Sequence, residues 1–302
     1  MIIANQEDVT RAVIAEMHRT PDARTKEILE ALVKHLHAFV REVRLTEREF
    51  QGAIGLVNAI GQHTTPSHNE AMLIAGALGV SNLVCLLNNG AGGTRETQAN
   101  NLGPFWRSEA PRVENGGTLL RSPVPGETLF FKGRVRDADG RPIPEVEVDV
   151  WHSSPVGLYE NQDPKQAEMN LRGVFTTEAD GSFAFRSVKP GAYPVPIEGP
   201  AGVLLGAQKR HNWRPAHLHF LLFKPGWKTI ASQVYTNDDR YLDTDSQFGV
   251  TKALIGHYVK HENEPSPEPG VEGTWWSLEH TFTLEPGEAR RPAPPISKKV
   301  EV

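Results

Sequence analysis

The chain has 302 residues, long enough for about two domains and a sizeable core. Its 32 lysines and arginines nearly balance 37 aspartates and glutamates, and a formal net charge of −5 argues against a generic nucleic-acid or anionic-membrane binder. The single cysteine, Cys85, stands in an apolar context, which excludes an intrachain disulfide framework and speaks against a thiolate metal site.

Residues 1–8 lack the basic and apolar regions of a signal peptide, so a cytoplasmic protein is expected. Thr20-Pro21-Asp22 reads as a helix start with proline in the first turn. Ile28, Leu29, Leu32, Leu36, Phe39, Val40 and Val43 then recur at helical spacing. Thr46 followed by Glu49 is a capping-box pattern ahead of Phe50, Ile54 and Val57, and Ser67 followed by Glu70 is another. The second opens an apolar run over residues 71–87. Ser81 and Asn82 interrupt that run, and Gly76 and Gly79 weaken it, so it is read as one buried helix rather than a membrane span.

The character changes near residue 100. Only two of the 23 prolines and none of the five tyrosines precede it. Residues 129–135 read as a strand, Asp139-Gly140 as a hairpin turn, and Val146, Val148 and Val150 alternate with Glu147, Asp149 and Trp151. Asp180-Gly181, between residues 174–177 and 183–185, reads as another hairpin. Short strands separated by turns, with no helical pattern between them, predict an antiparallel sandwich. The fold class is therefore α+β, with a helical domain over residues 1–105 and a β-sandwich over 106–302. The proline-rich tail after Glu264 is expected to wrap the surface or to be partly mobile.

The most informative stretch is Trp213-Arg-Pro-Ala-His217-Leu-His219-Phe220, which continues through Leu221, Leu222 and Phe223 as a buried strand. Side chains alternate across a strand, so His217 and His219 share one face, about 6 to 7 Å apart along it, and can close on one metal ion. Two hydrogen-bonded core histidines are the alternative. Two tyrosines stand out in the loops. Tyr159 follows Gly157-Leu158, and Tyr193 is held between Pro190, Pro194 and Pro196, which fixes its phenol in advance. A tyrosine corner or a plain loop anchor is the alternative for these. Two phenolates with two neutral imidazoles form a hard, doubly anionic donor set that favours ferric iron over softer divalent metals. A strong Lewis acid is needed to deprotonate tyrosine at neutral pH.

Leu102-Gly103-Pro104-Phe105, the strand ending at Trp151, Gly157-Leu158-Tyr159, Asp180-Gly181-Ser182-Phe183, Tyr193-Pro194-Val195-Pro196 and Arg214-Pro215-Ala216-His217-Leu218-His219-Phe220 follow one another in order. Together, over residues 32–259, they resemble the intradiol ring-cleavage dioxygenases of the catechol and hydroxyquinol 1,2-dioxygenase type. The resemblance implies one Fe(III) per chain, bound by Tyr159, Tyr193, His217 and His219. Tyr193 would be the ligand that substrate displaces, its phenolate taking a substrate proton. Arg214 would stabilise negative charge developing on the ring, and Gln233 would stand near the iron. Leu73, Gly76, Asn101, Leu102, Gly103, Pro104, Phe105, Val195, Pro196, Arg214, Phe248 and Gly249 would line the substrate pocket. The helical part would be a dimerisation domain, giving a homodimer, with a buried phospholipid at the dimer interface.

The substrate implied is a small aromatic diol with O2, and no nucleic acid or membrane partner is expected. Tyr193 to Gly202 and Phe248-Gly249-Val250 look more like hydroxyquinol enzymes than catechol enzymes. Catechol or a substituted catechol is the alternative. Gly76 departs from an acidic residue in the hydroxyquinol pattern, which enlarges the expected pocket, and Asn101 departs from valine or isoleucine, which adds a polar amide. A non-catalytic binding module and a zinc hydrolase are the competing readings. The second lacks a general-base glutamate beside the histidines.

Overall fold

The computed structural model describes residues 2–89 and 95–299. Its contacts divide the chain into two compact units, Met1–Asn58 and Ala59–Val302. The division falls well before the boundary expected at residue 105. Residues 59–89 and 95–105 group with the sandwich, since Leu73 and Phe105 share an apolar cluster with Tyr159 and Tyr193.

The first unit is helical. Helix α1 (Gln6–Glu16) is capped by Asn5, whose side chain accepts from the Glu7 and Asp8 N–H groups. Helix α2 (Ala23–Glu42) is capped by Asp22, which accepts from Thr25 N–H at 2.7 Å; Pro21 thus precedes the cap instead of sitting in the first turn. Helix α3 (Glu47–His63) begins with the expected box, the Glu49 carboxylate accepting from Thr46 N–H at 2.9 Å and Thr46 Oγ1 accepting from Glu49 N–H at 3.3 Å. In the apolar stripe of α2, Ile28, Leu32, Leu36 and Phe39 are all about half exposed among the described residues.

In the second unit the run over residues 71–87 is two helices, α4 (Glu70–Ala77) and α5 (Val80–Asn88), bent by 76°. The break lies at Gly79, whose φ of 73° suits glycine and ends α4. Asn69, not Ser67, caps α4, by accepting from Met72 N–H. Only α4 is buried; Leu83, Val84 and Leu87 of α5 are exposed, contrary to a single buried helix. Among the described residues no single helix is long and apolar enough to cross a membrane; the bent pair meets that test by length and composition only.

The strands are β1 (Thr128–Asp137), β2 (Glu147–His152), β3 (Arg172–Thr176), β4 (Ser182–Val188), β5 (Tyr193–Pro194), β6 (Trp213–Arg214), β7 (His217–Phe223), β8 (Ile230–Tyr235), β9 (Val259–His261) and β10 (Trp275–Leu284), with α6 (Pro200–Ala207) between β5 and β6. They form two four-stranded sheets, ordered β4-β1-β10-β9 and β3-β2-β7-β8, and a β5-β6 ribbon. The pairing is antiparallel throughout except for β1 beside β10, which is parallel. Asp139-Gly140 closes a short hairpin, in which Arg136 pairs antiparallel with Pro142 and Ile143 N–H donates to Val135 O, but neither it nor Asp180-Gly181 pairs the two long strands that flank it. The first leads from β1 to β2 and the second from β3 to β4, each from one sheet to the other. Their flanking strands pair elsewhere because each apolar face must meet the opposite sheet.

Leu129, Phe131, Phe175, Phe185, Phe220 and Phe282 belong to the cluster that fills the space between the sheets. Strand β7 alternates across its plane. Leu218, Phe220 and Leu222 enter that core, whereas His217, His219 and Leu221 face the other way. There α4 and α6 supply Leu73, Ala77, Ala201 and Leu205. Glu70, buried at the start of α4, accepts from Ala201 N–H at the start of α6 and so joins the two helices. The tail returns to this side: Ile296 is buried in the same cluster and Ser297 N–H donates to Pro66 O.

Candidate metal centre and active site

Sheet register assembles the site. Trp151 on β2, His219 on β7 and Gln233 on β8 stand in one cross-strand row, and His217 stands opposite Tyr235. The Trp151 indole stacks flat on the His219 ring, with centroids 4.6 Å apart and planes 10° apart. Tyr193 and Arg214 are a cross-strand pair on the β5-β6 ribbon. Tyr159 comes from the loop after β2. Gly157, at φ 83°, lets that loop pass Ala192 O, which a Cβ would approach to 2.7 Å. Buried Glu160 then anchors the loop by accepting from Arg107 and Arg172.

All four expected ligands are buried and meet. His217 Nε2 lies 3.0 Å from His219 Nε2, and His219 Nε2 lies 3.1 Å from the Tyr159 hydroxyl. The Tyr159 and Tyr193 rings meet edge to face at 5.1 Å. His217 Nδ1 donates to Pro215 O at 2.7 Å, which leaves Nε2 as the lone-pair nitrogen. A 3.0 Å separation of two ring nitrogens is that of neighbouring vertices around an ion bound at about 2.1 Å. The donor set therefore fits a hard metal ion.

The electrostatics agree with that fit. Burial pushes the His217 imidazole down to about 3, with the nearby Arg214 charge adding to the effect. Burial also holds His219 well below the usual histidine range, helped by His217 and Arg214. Both rings are neutral and can offer lone pairs. Burial raises the Tyr159 phenol far above its ordinary value, and Tyr193 beside it adds to this. Only a strong Lewis acid would make it a phenolate.

Arg214 is the hub. Its Nη1 donates to the Tyr193 hydroxyl at 3.2 Å, and its Nη2 donates to Gln233 Oε1 at 3.0 Å and to the Tyr235 hydroxyl at 2.7 Å. Its Nε and Nη2 form a bidentate pair with buried Asp245, each at 3.0 Å. Gln233 Nε2 donates to Asn101 O and Oδ1 at 2.8 and 2.9 Å. Asp245, Tyr235 and Asn100, which donates to Gly249 O, are parts of this network absent from the sequence reading. Their signal was only a polar type in a loop or strand.

Most of the expected pocket wall gathers around the cluster. Leu73, Phe105 and Val195 pack with the tyrosines, Leu102 packs against them from its edge, and Phe105 stacks on Tyr159 at 4.7 Å. A Cβ on Gly103 would stand 3.3 Å from His219, and one on Gly249 would stand 2.7 Å from Arg214 Nη2. Pro104 and Pro196 are half-buried neighbours in the same loops. Three positions differ from expectation. Phe248 is half exposed, its ring beneath Arg210 instead of among the tyrosines. The Asn101 amide oxygen is already taken by Gln233. Gly76 leaves no empty volume, because the Gln247 side chain fills the space beside it.

A helical unit, a β-sandwich and a buried donor set of two tyrosines and two histidines define an α+β oxidoreductase with its site on the outer face of one sheet. The family model described as Dioxygenase matches residues 102–279, and the one described as Catechol dioxygenase N terminus matches residues 22–94. A 6-chlorohydroxyquinol 1,2-dioxygenase of Cupriavidus pinatubonensis is 39% identical over 93% of this chain and 98% of its own. A hydroxyquinol 1,2-dioxygenase of Nocardioides simplex is 35% identical over 94% of this chain and 96% of its own. The solved structure of hydroxyquinol 1,2-dioxygenase from Pseudomonas putida DLL-E4 superposes with a TM-score of 0.83 at 34% identity, covering 93% of this chain and 99% of that one. The chain belongs to the intradiol ring-cleavage dioxygenases.

Proposed function

We propose that this chain opens the ring of hydroxyquinol, benzene-1,2,4-triol, between its two adjacent hydroxylated carbons, using O2 and one Fe(III) held by Tyr159, Tyr193, His217 and His219. The observation that carries the reading is the convergence of two buried phenols on two neutral imidazoles. Bound Fe(III) would supply Lewis acidity that makes a chelated diol reactive toward O2. Tyr193, once displaced as a metal ligand, is placed to receive a diol proton, and Arg214, whose Nη1 donates to its hydroxyl, is placed to stabilise negative charge that develops on the ring. Trp151 and Phe105 fix the orientation of His219 and Tyr159 by stacking and keep water away from them. Hydroxyquinol is favoured because relatives bearing that name are 35–36% identical to this chain over 92–94% of its length. Gly76, which offers no side chain to a third hydroxyl, favours a catechol or substituted catechol as the second reading.

The same proposal includes a homodimer joined through the first helices, supported by the half-exposed stripe of Ile28, Leu32, Leu36 and Phe39. A phospholipid held between those helices is part of it and is tested by lipid extraction and mass spectrometry. Iron analysis tests the metal assignment. His217→Ala should lose the metal and the red-brown tyrosinate colour, since one imidazole is gone and its neighbour Arg214 cannot ligate. Full iron content in that variant would sink the assignment.

A further inference from the structure

Gly76 lies on α4 one turn after Leu73, whose side chain packs with Tyr159 and Tyr193. A Cβ at position 76 would fall 1.6 Å from Gln247 Oε1 and 2.7 Å from its Cδ. The carboxamide of Gln247 therefore occupies the volume that any side chain at 76 would need. Gln247 is 5% exposed, and its Nε2 has no hydrogen-bond partner in the described structure. Its main chain is fixed, with its N–H donating at 3.1 Å to Asp245 Oδ1, the carboxylate that also holds Arg214. A buried donor left unpaired costs free energy, and one placed on the wall of a ligand site gains its partner when the ligand arrives.

We propose that Gln247 is a specificity-determining residue: its carboxamide, lodged in the space left by Gly76, hydrogen-bonds an oxygen substituent on the aromatic ring, apart from the two hydroxyls that flank the cleaved bond. The inference rests on the diol reading given above. Nε2 donates to the oxygen of a ring hydroxyl, a ring phenolate or a ring carboxylate, and Oε1 accepts a hydroxyl proton. The amide is neutral, so it serves neutral and ionised substituents alike, which a carboxylate at this place would not.

The test compares Gln247→Leu, which keeps the bulk and removes the polar atoms, with Gly76→Ala, which displaces the carboxamide without changing it. Hydroxyquinol, protocatechuate and catechol are the probes, and protocatechuate separates a ring carboxylate from a ring hydroxyl as the group read. Gln247→Leu should lower the hydroxyquinol-to-catechol ratio of kcat/KM by about 10- to 100-fold, the effect of leaving a recognised hydroxyl unpaired. Gly76→Ala should move the ratio in the same direction, and iron content should stay at the wild-type level in both. Oxygen-free titration should give the same shift in the ratio of Kd values. A ratio that stays within about twofold of wild type in both variants, by turnover and by binding, overturns the proposal. If wild-type protein cleaves no diol, the function reading fails, and the binding ratio alone then decides the role of Gln247.

Discussion

Replacing Asp245 by asparagine tests the hub on which the site is built. Asp245 accepts two hydrogen bonds from Arg214, at 3.0 Å each, and one each from the Gln247 and Gly249 N–H groups, at 3.1 and 2.8 Å. Both side chains of the pair are 2% exposed, so the asparagine variant leaves a guanidinium charge buried without its counter-ion. Breaking such a pair by neutralising one partner costs about 3–5 kcal/mol. For a domain of this size that corresponds to about 6–20 °C in Tm. Arg214 also loses its aim at Tyr193, so kcat should fall by about 100- to 1,000-fold, as for loss of one preorganised donor. The pH dependence carries a sign. Burial alone would raise the Asp245 carboxyl, but the Arg214 charge together with the hydrogen bonds from Arg214 and from the Gln247 and Gly249 N–H groups outweighs it and holds the group below its ordinary value. Its stabilisation is therefore complete above about pH 4 and is lost as pH falls through the lower folded-state value. Thermal scans of Asp245→Asn should lack that acid step. A variant that melts within about 2 °C of wild type and turns over at the wild-type rate would refute the reasoning.

Tyr193→Phe should keep part of its iron but lose about 100- to 10,000-fold in kcat, the range for loss of a proton-transfer group; turnover at the wild-type rate would remove Tyr193 from that role. His152 is 1% exposed, and burial pushes its imidazole down to about 4. Below about pH 6.5 the unfolded chain takes up this proton and the folded one does not, so stability should fall by about 3 kcal/mol between pH 6.5 and 4. Denaturant titrations should find that part of the slope gone in His152→Gln, and an unchanged slope would assign it elsewhere. A Cβ on Gly249 would meet the Tyr235 hydroxyl at 2.5 Å and Arg214 Nη2 at 2.7 Å, so Gly249→Ala should cost about 1–3 kcal/mol and depress kcat. Gly206→Ala in α6, with nothing within 4 Å of the new methyl, is the control and should be neutral or stabilising. Equal melting shifts in the two alanine variants would contradict the packing argument.

Period decides what is legible in this chain. The spacing of His217 and His219 fixes a shared face on any strand, and the burial of β7 follows from its unbroken apolar run. The capping box at Thr46 and Glu49 is local chemistry, and it forms as read. Features that depend on distant partners were hidden. Asp139-Gly140 and Asp180-Gly181 specify turns but not which strands pair afterwards, and the sheets, not the turns, select the partners. The run over residues 71–87 carried its own break in Gly79, whose left-handed backbone ends α4 before the pattern ends. Gln247 was invisible from Gly76 because 171 positions separate two residues whose atoms compete for one volume. Asp245 carried no local mark of its pairing with Arg214, whereas the Arg214 motif itself was readable.

The most direct measurement is a single experiment on purified protein with hydroxyquinol and 18O-labelled O2, combined with metal analysis. The account predicts about one iron per chain, a red-brown solution, and a ring-opened dicarboxylic product carrying one labelled oxygen at each new carboxyl group. Colourless, iron-free protein that still opens the ring, or a product cleaved outside the pair of hydroxylated carbons, would contradict it.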